Sequence, residues 1–292
     1  MLIFFSAQLS VHPAAAQARL PDLGYPLLKQ SPPYNRQQKQ NFPSFTYQEA
    51  TDTNLIRLRN TYGLDQVAGA GTDIERAIRL LAWFHQQVPH IDGPPLDTLT
   101  AENIITKYLK QKTPQGCFPL SIAMNEIFLS MGFQSRSVIC YSAKYPVPDG
   151  GHVINSVYIP SLKKWIYMDP QENAWLKDEN GNFLGIAEVR ERLIDGRPLV
   201  LNPTANYHGV PTKKQEYLYT FMLEHLYRVI CPVHSEWDAQ SRHKGRTVEY
   251  VELLPYGSRE PAIDGYETRQ TANGRVISYH TNNDQLFWQL PV

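Results

Sequence analysis

The chain has 292 residues, of which 42% are hydrophobic, and its 28 basic and 28 acidic side chains give a formal net charge of zero. This composition is typical of a globular protein that buries a substantial core. Because the chain is neutral and has no basic run, it offers no electrostatic basis for binding nucleic acid or an anionic membrane, and neither is expected as a partner.

The first 18 residues, MLIFFSAQLSVHPAAAQA, combine an apolar run with small residues at the spacing that a signal peptidase accepts. They favour a signal peptide over residues 1–18, without the usual basic front end, and export to the periplasm or the extracellular space. No later apolar run is long enough for a transmembrane segment. Residues 19–45 are rich in Pro, Gln and Tyr and are expected to form an extended surface arm.

Three helices are predicted in the next part of the chain. TDIERAIRLLAWFHQQV opens with Thr72 and Glu75 as a capping box and has one apolar stripe. AENIITKYLKQK also has an apolar side. PLSIAMNEIFLSM is apolar nearly all round and stops at Gly132, which predicts a helix buried in the core. Cys117 would lie at or just before the first turn of this buried helix.

Three strand-like runs follow the buried helix: SRSVICY, HVINSVYI and KKWIYMD. They are rich in β-branched and aromatic residues, and the connection SLKK is short enough to make the last two an antiparallel hairpin. Helices followed by an antiparallel sheet indicate the α+β class. The expected core spans residues 46–205.

Residues 206–292 are expected to form a β-rich C-terminal extension that begins in the loop-like interval LNPTANYHGVPTKK. Before that interval, DENGN indicates a turn and IAEVRERLI a helix. Within the extension, QEYLYTFMLEHLYRVI reads as a helix that becomes a strand toward its end. RTVEYVELLP, GRVISYH and QLFWQL alternate as strands do.

Cys117 is the candidate nucleophile of the sequence. The pKa of a thiol falls at a helix N-terminus or beside an imidazolium, and the start of the buried helix provides the first condition. His152 begins one strand of the predicted hairpin and Asp169 ends the other, so both are expected at the same edge of the sheet. A base held by a carboxylate is what a thiol nucleophile needs. Taken alone, a cysteine such as Cys117 is more often a small buried hydrophobe than a nucleophile.

The runs GCFPLSIAMNEIFLSMGFQSRSV and GGHVINSVYIPSLKKWIYMDP together resemble the transglutaminase-like superfamily. The resemblance implies a papain-like α+β fold and acyl-transfer or hydrolytic chemistry on amides. It also implies that Cys117 is the nucleophile, His152 the base and Asp169 the orienting acid. Phe118 and Pro119 follow the cysteine where many family members carry a polar residue and then a small or charged one.

The expected function is thiol-dependent hydrolysis of amides, as a peptidase or amidase, through an acyl-enzyme and without a cofactor. The substrate would be a peptide or protein. One alternative is a catalytically inactive binding or surface-assembly module on the same fold, and another is a protein cross-linking transglutaminase. The sequence has no calcium-loop motif of the kind that regulated cross-linking enzymes need, which favours hydrolysis. It does not indicate an oligomeric state.

The other histidines and cysteines are weak candidates for a metal site. Pro89 separates His85 from His90, so the two are not expected to bind a metal together. Three further residues, Cys231, His234 and His243, have irregular spacing and predict no metal site.

The remaining polar and sulfur-bearing candidates carry little weight. Gln111, six residues before Cys117, has the offset of the second oxyanion donor in papain-like enzymes, a match of low specificity. A bridge between Cys140 and Cys231 and three free thiols are both compatible with the cysteine count. Trp165 and Trp175 either pack behind the hairpin or line a substrate cleft.

Overall fold

The structure is a computed structural model that describes residues 24–94, 96–144, 150–241, 243–257 and 265–291. The expected signal peptide, residues 1–18, lies outside the described residues. Within the described residues, no helix is both long and apolar enough to cross a membrane.

The elements of the first part of the chain are mostly helices, followed by three strands. In chain order they are α1 (Gly24–Lys29), β1 (Thr46–Tyr47), α2 (Thr53–Thr61), α3 (Leu64–Ala68), α4 (Asp73–Gln87), α5 (Ala101–Gln111), α6 (Cys117–Ser130), β2 (Ser135–Tyr141), β3 (His152–Ile159) and β4 (Lys164–Met168).

The later elements alternate between short strands, helices and longer strands. In chain order they are β5 (Leu176–Lys177), α7 (Ile186–Asp195), β6 (Val200–Leu201), β7 (Asn206–Tyr207), β8 (Val210–Pro211), α8 (Lys214–Glu216), a π-helical stretch (Tyr217–Met222), α9 (Leu223–His225), β9 (Arg228–Pro232), β10 (His234–Ser235), β11 (Arg246–Leu253), β12 (Tyr266–Gln270), β13 (Gly274–Thr281) and α10 (Asp284–Phe287).

One seven-stranded sheet organises the molecule, with the strand order β12-β13-β11-β9-β2-β3-β4. Neighbouring strands are antiparallel except for β11 and β13, which are parallel. The predicted hairpin is present, with Asn155 opposite Met168 and Ile159 opposite Lys164. The α+β class is therefore confirmed. Strand β9 joins the C-terminal strands to β2, so both parts of the chain contribute to the same sheet.

Helices cover both faces of this sheet. On one face, α2 to α6 pack against the side chains of Val157, Ile159 and Ile166. On the other face, the residues of α7 and of the helical stretch 214–225 pack against Val138 and Tyr167. Strands β2, β3 and β4 are buried on both faces and carry apolar residues on both, which is typical of strands at the centre of a layered fold.

Local sequence signals account for the helices that were predicted. Helix α4 starts after Thr72, whose backbone N–H donates to Glu75 Oε2 at 2.9 Å, as in a capping box. In α6 every residue from Pro119 to Ser130 is buried, and the helix ends just before Gly132, whose φ of 83° suits glycine. A helix that is apolar on all sides is expected to lie inside the protein.

Three parts of the structure differ from the sequence-based expectations. The prediction of a strand at QLFWQL is wrong, because the stretch begins inside the short helix α10. Asn283 caps this helix by accepting hydrogen bonds from Gln285 N and Leu286 N at 3.0 and 3.3 Å. The described part of the expected arm, residues 24–45, starts with the helix α1 before its extended part. The third difference consists of elements that were not predicted, which include α2, α3, β12 and the two-residue strands.

Candidate active site

Cys117 is the first residue of α6, and Gly116 precedes it in an extended conformation. The backbone N–H of Cys117 belongs to the first turn, whose N–H groups have no partner within the helix. One turn later, Ser121 ties α6 to β3: its Oγ donates to Ile154 O at 3.0 Å, and its carbonyl accepts from Asn155 Nδ2 at 2.9 Å. These bonds hold the start of the helix against the start of the strand that carries the candidate base.

His152 and Asp169 form a buried pair at the edge of the sheet. His152 Nε2 lies 2.6 Å from Asp169 Oδ2, and the two side chains are 1% and 0% exposed. Because Nε2 is bonded to the carboxylate, Nδ1 is the ring nitrogen left for the thiol. Gly151, the residue before His152, has no space for a side chain, since an added Cβ would lie 2.6 Å from the ring of Tyr141.

Four groups hold the carboxylate of Asp169. In addition to His152, Tyr217 Oη donates to Oδ2 at 2.6 Å, and the backbone N–H groups of Gln171 and Glu172 donate to Oδ1 at 2.9 and 3.3 Å. Burial raises the pKa of Asp169, but the charge and hydrogen bond of His152, followed by the bond from Tyr217, outweigh burial and lower it. The carboxylate therefore stays ionised and fixes the orientation of the imidazole.

The π-helical stretch 217–222 brings two side chains to the site that sequence reasoning missed. Tyr217 binds Asp169, and its hydroxyl also bonds to Tyr167 on β4. Phe221 packs edge-on against His152, with ring centroids 5.1 Å apart. π-helical turns are uncommon and often occur at functional sites. The stretch YLYTFM reads only as core-forming aromatics, because no local signal shows which element it will face.

Burial and two imidazoles, those of His152 and His90, determine the pKa of the Cys117 thiol. Burial raises the pKa of Cys117, but hydrogen bonds to His152 and His90, together with their charges, lower it from 9.0 to about 6. Burial lowers the pKa of His152, whereas Asp169 and the thiol raise it to about 10. The pair of Cys117 and His152 thus favours a thiolate and an imidazolium at neutral pH.

His90 is the other residue that sequence reasoning did not assign to the site. It lies in the loop after α4, where its Nδ1 is 3.0 Å from Tyr207 Oη and its Nε2 is 3.4 Å from Asp92 Oδ1. The backbone N–H of the next residue, Ile91, donates to Gln115 O at 2.9 Å, which places this loop beside the residue pair that precedes Cys117. The contact joins two distant loops, so no sequence spacing reveals it.

The other two cysteines lie in the core and are free, as is Cys117. Cys140 and Cys231 are both fully buried, and burial raises the pKa of each thiol. Strand β2 pairs with β9 so that Cys140 lies opposite Val229, two residues before Cys231, and the two cysteines are not a cross-strand pair. On its other side, Cys140 lies opposite His152. Cys117 differs from both because it begins a helix and because its pKa is lowered and not raised.

The remaining candidates lie away from the thiol. Gln111 is exposed, and its Oε1 accepts from Lys107 Nζ at 3.3 Å. Trp165 packs over the guanidinium of Arg136 at 4.4 Å from the ring centroid. Trp175 packs against Phe183, with ring centroids 5.1 Å apart.

The histidines considered as metal ligands have protein partners. His85 Nδ1 lies 3.1 Å from Pro170 O and its Nε2 lies 3.0 Å from Asn206 Oδ1. His234 Nδ1 is bonded to Thr46, and His243 Nε2 to Asp238. Among the described residues, no three His, Cys, Asp or Glu side chains are grouped as metal ligands would be.

Comparison with known proteins finds a similarity to one family over the part of the chain that carries the site. Residues 60–170 match the family model of the transglutaminase-like superfamily, and this range includes Cys117, His152 and Asp169. The comparison with curated proteins found no match. Among solved structures, a candidate cysteine protease from Cytophaga hutchinsonii is similar, with 17% identity, a TM-score of 0.33 and coverage of 55% of this chain. The match spans 49% of that protein, about half of its length.

Proposed function

We propose that this chain, which carries a transglutaminase-like region over residues 60–170, is a thiol-dependent amide hydrolase. The observation that carries the proposal is the buried pair of His152 and Asp169, whose side chains are bonded at 2.6 Å. Cys117 begins α6, which is bonded through Ser121 to the strand that His152 begins. Against the effect of burial, the hydrogen bond and charge of His152 lower the pKa of the thiol. A nucleophile, a base and a group that orients the base are the parts that covalent amide cleavage needs.

In the first step, the thiolate of Cys117 attacks the carbonyl carbon of an amide and forms a carbon–sulfur bond. The imidazolium of His152 gives the proton on Nδ1 to the amide nitrogen, and the carbon–nitrogen bond breaks. The products are a free amine and a thioester on Cys117. The backbone N–H of Cys117 is positioned to donate to the oxyanion that forms during the attack, because the first helical turn leaves it without a helical partner.

In the second step, His152 is neutral and accepts a proton from water, whose oxygen attacks the thioester carbon. The carboxylic acid leaves, and the thiolate and imidazolium are restored. Asp169 stabilises the imidazolium in both steps, while Tyr217 and the two backbone N–H groups keep the carboxylate in place. Both steps use only water and the side chains and backbone groups named above.

The Phe118–Pro119 pair is compatible with a working nucleophile. Phe118 is partly buried and packs against the core on the α6 side of the sheet, and Pro119 is fully inside the helix. A proline in the first helical turn does not remove a helical hydrogen bond, because the N–H at that position has no partner. Both residues are thus compatible with the start of α6, where the thiol of Cys117 is half-buried.

Turnover of a mixed peptide library, followed by mass spectrometry, tests the proposal. The intact chain should release new amines and carboxylic acids from the library and show an acyl adduct on Cys117. The Cys117→Ala variant should lose both, whereas Cys231→Ala, which removes a buried thiol on β9, should keep them. Incorporation of an added primary amine in preference to water would instead indicate transamidation. Equal product formation by the intact chain and Cys117→Ala would overturn the proposal.

A further inference from the structure

A cavity of about 690 Å³ is lined on one side by His90. The end of α4, the end of α5, the loop after Asp169 and the β7–β8 hairpin surround it. His90 lines this cavity, and the next residue, Ile91, donates its backbone N–H to Gln115 O at 2.9 Å, two residues before Cys117. The loop that carries His90 is therefore held beside the residues that precede the candidate nucleophile.

The described side chains that line the cavity include basic residues and no acidic ones. The ionisable ones are Lys112, Tyr108 and three histidines. At neutral pH a lysine is positive, a histidine is neutral or positive, and a tyrosine is neutral. Asp92 contacts His90, but its side chain is 77% exposed and does not line the cavity. The cavity is consequently neutral to positive.

The floor of the cavity is built from side chains that are already bonded to one another. His85 bridges Pro170 O and Asn206 Oδ1. Asn173 Nδ2 donates to Thr204 O at 3.2 Å, and Asn206 Nδ2 donates to the same carbonyl at 3.1 Å. Such a preformed polar surface needs little reorganisation to receive a ligand.

Lys112 supplies the formal positive charge of the lining. It ends α5 in a left-handed conformation with φ of 54°, and its backbone N–H donates to Tyr108 O at 2.8 Å. Its ammonium lies 4.7 Å from the ring centroid of Tyr108, which also lines the cavity. The backbone and the ring together hold this cation at the cavity wall.

We propose that this cavity binds a carboxylate of the substrate, either an acidic side chain or a free C-terminal carboxylate, next to the amide that is cleaved. Lys112 is the residue that selects the carboxylate, and the neutral polar floor accommodates the peptide around it. The inference rests on the proposed function, because it treats the loop that carries His90 as the link between the cavity and Cys117. The same charge distribution disfavours a protonated lysine side chain as the ligand.

Binding to the full chain with Cys117→Ala tests this inference without turnover. Four N-acetylated peptides of alanine around a central glutamine serve as probes: one neutral with a C-terminal amide, one with a free C-terminal carboxylate, one with a flanking glutamate and one with a flanking lysine. Chemical-shift titration measures the affinity of each. We expect at least one carboxylate peptide to bind about two- to fivefold more tightly than the neutral one, in the range of a partly exposed ion pair.

The matched variants are Lys112→Gln and Lys110→Gln, because Lys110 is exposed on the same helix and does not line the cavity. Lys112→Gln should abolish the preference for carboxylate, and Lys110→Gln should keep it. Equal binding of neutral and acidic peptides, tightest binding of the lysine peptide, no binding of any peptide, or equal effects of the two variants would each overturn the inference. The comparison of the two carboxylate peptides shows which source of carboxylate is recognised.

The two proposals fail in different ways. If the Cys117→Ala chain binds carboxylate peptides through Lys112 but the intact chain cleaves no peptide, the cavity assignment stands and the amide hydrolase is wrong. If the intact chain cleaves peptides without regard to their charge, the hydrolase stands and the cavity assignment is wrong.

Discussion

At the scale of single residues, the candidate site depends on a buried carboxylate and the groups that keep it ionised. Asp169 is 0% exposed and accepts bonds from His152, Tyr217 and two backbone N–H groups. The relation between His152 and Asp169 could be predicted because one hairpin carries both. Tyr217 and His90 could not, because they reach the site from a helix and a loop whose positions are decided by packing.

The first prediction concerns Tyr217→Phe. The change removes a donor to Asp169 Oδ2 and leaves the hydroxyl of Tyr167 without its partner, so we expect the free energy of unfolding to fall by about 1–3 kcal/mol. It should also slow peptide cleavage, because the carboxylate holds His152 less firmly. Chemical denaturation and peptide turnover measure the two effects. Tyr266→Phe, at a tyrosine that is 65% exposed, is the control, and an equal result for both variants would contradict the prediction.

At the scale of elements, long periodic segments were predicted and short capped ones were not. α4 and α5 each have an apolar stripe that identifies them, and α6 is identified because it is apolar on all sides. β2, β3 and β4 are identified by their β-branched and aromatic residues. α10 has four residues, and the side chain of Asn283 decides its conformation. The strand β12 is exposed along its whole length, so it carries no alternating pattern. Sequence periodicity reports burial on one face, and these two elements lack it.

Arg136 joins several of these elements at one point on β2. It is 1% exposed, its Nε donates to Tyr47 Oη at 2.6 Å and its Nη1 donates to Phe287 O at 2.6 Å. The guanidinium also stacks on Phe45 and Trp165, at 4.0 and 4.4 Å from the ring centroids. The N-terminal arm, the hairpin and the C-terminal segment therefore share one buried cation.

We predict that Arg136→Met lowers the free energy of unfolding by about 3–5 kcal/mol, because the carbonyl and hydroxyl acceptors around the guanidinium lose their donor. Arg57→Met is the control, since Arg57 forms an exposed pair with Glu102 and should change stability by less than about 1 kcal/mol. Urea denaturation of the two variants measures both values. A loss of stability in Arg136→Met no greater than in Arg57→Met would contradict this view of the cluster.

At the scale of the whole molecule, the sheet runs across the expected boundary near residue 205. β9 pairs with β2, with Ile230 opposite Ile139, so the strands of the C-terminal part complete the sheet that carries the site. Tyr217, which bonds Asp169, also lies beyond that boundary. Strand order of this kind depends on long-range pairing and is not encoded in the spacing of the strands along the chain.

A fragment of residues 24–205 should therefore fail to fold cooperatively. It would expose the unpaired edge of β2 and the apolar side chains that the C-terminal strands and the helical stretch 214–225 cover. Circular dichroism during thermal denaturation, compared with the chain of residues 24–291, tests this expectation. A fragment with a sharp unfolding transition and dispersed amide resonances would show that the core is an independent domain.

The rate at which iodoacetamide alkylates Cys117, measured across pH with the modified cysteine located by mass spectrometry, tests the central claim most directly. The buried Cys140 and Cys231 serve as unreactive thiols in the same molecule. We predict a rate that rises through a midpoint near pH 6 in the intact chain, and a midpoint shifted toward the ordinary thiol value of about 8.5 in His152→Ala, with a smaller shift in His90→Ala. A midpoint near 8.5 in the intact chain that His152→Ala leaves unchanged would contradict the account.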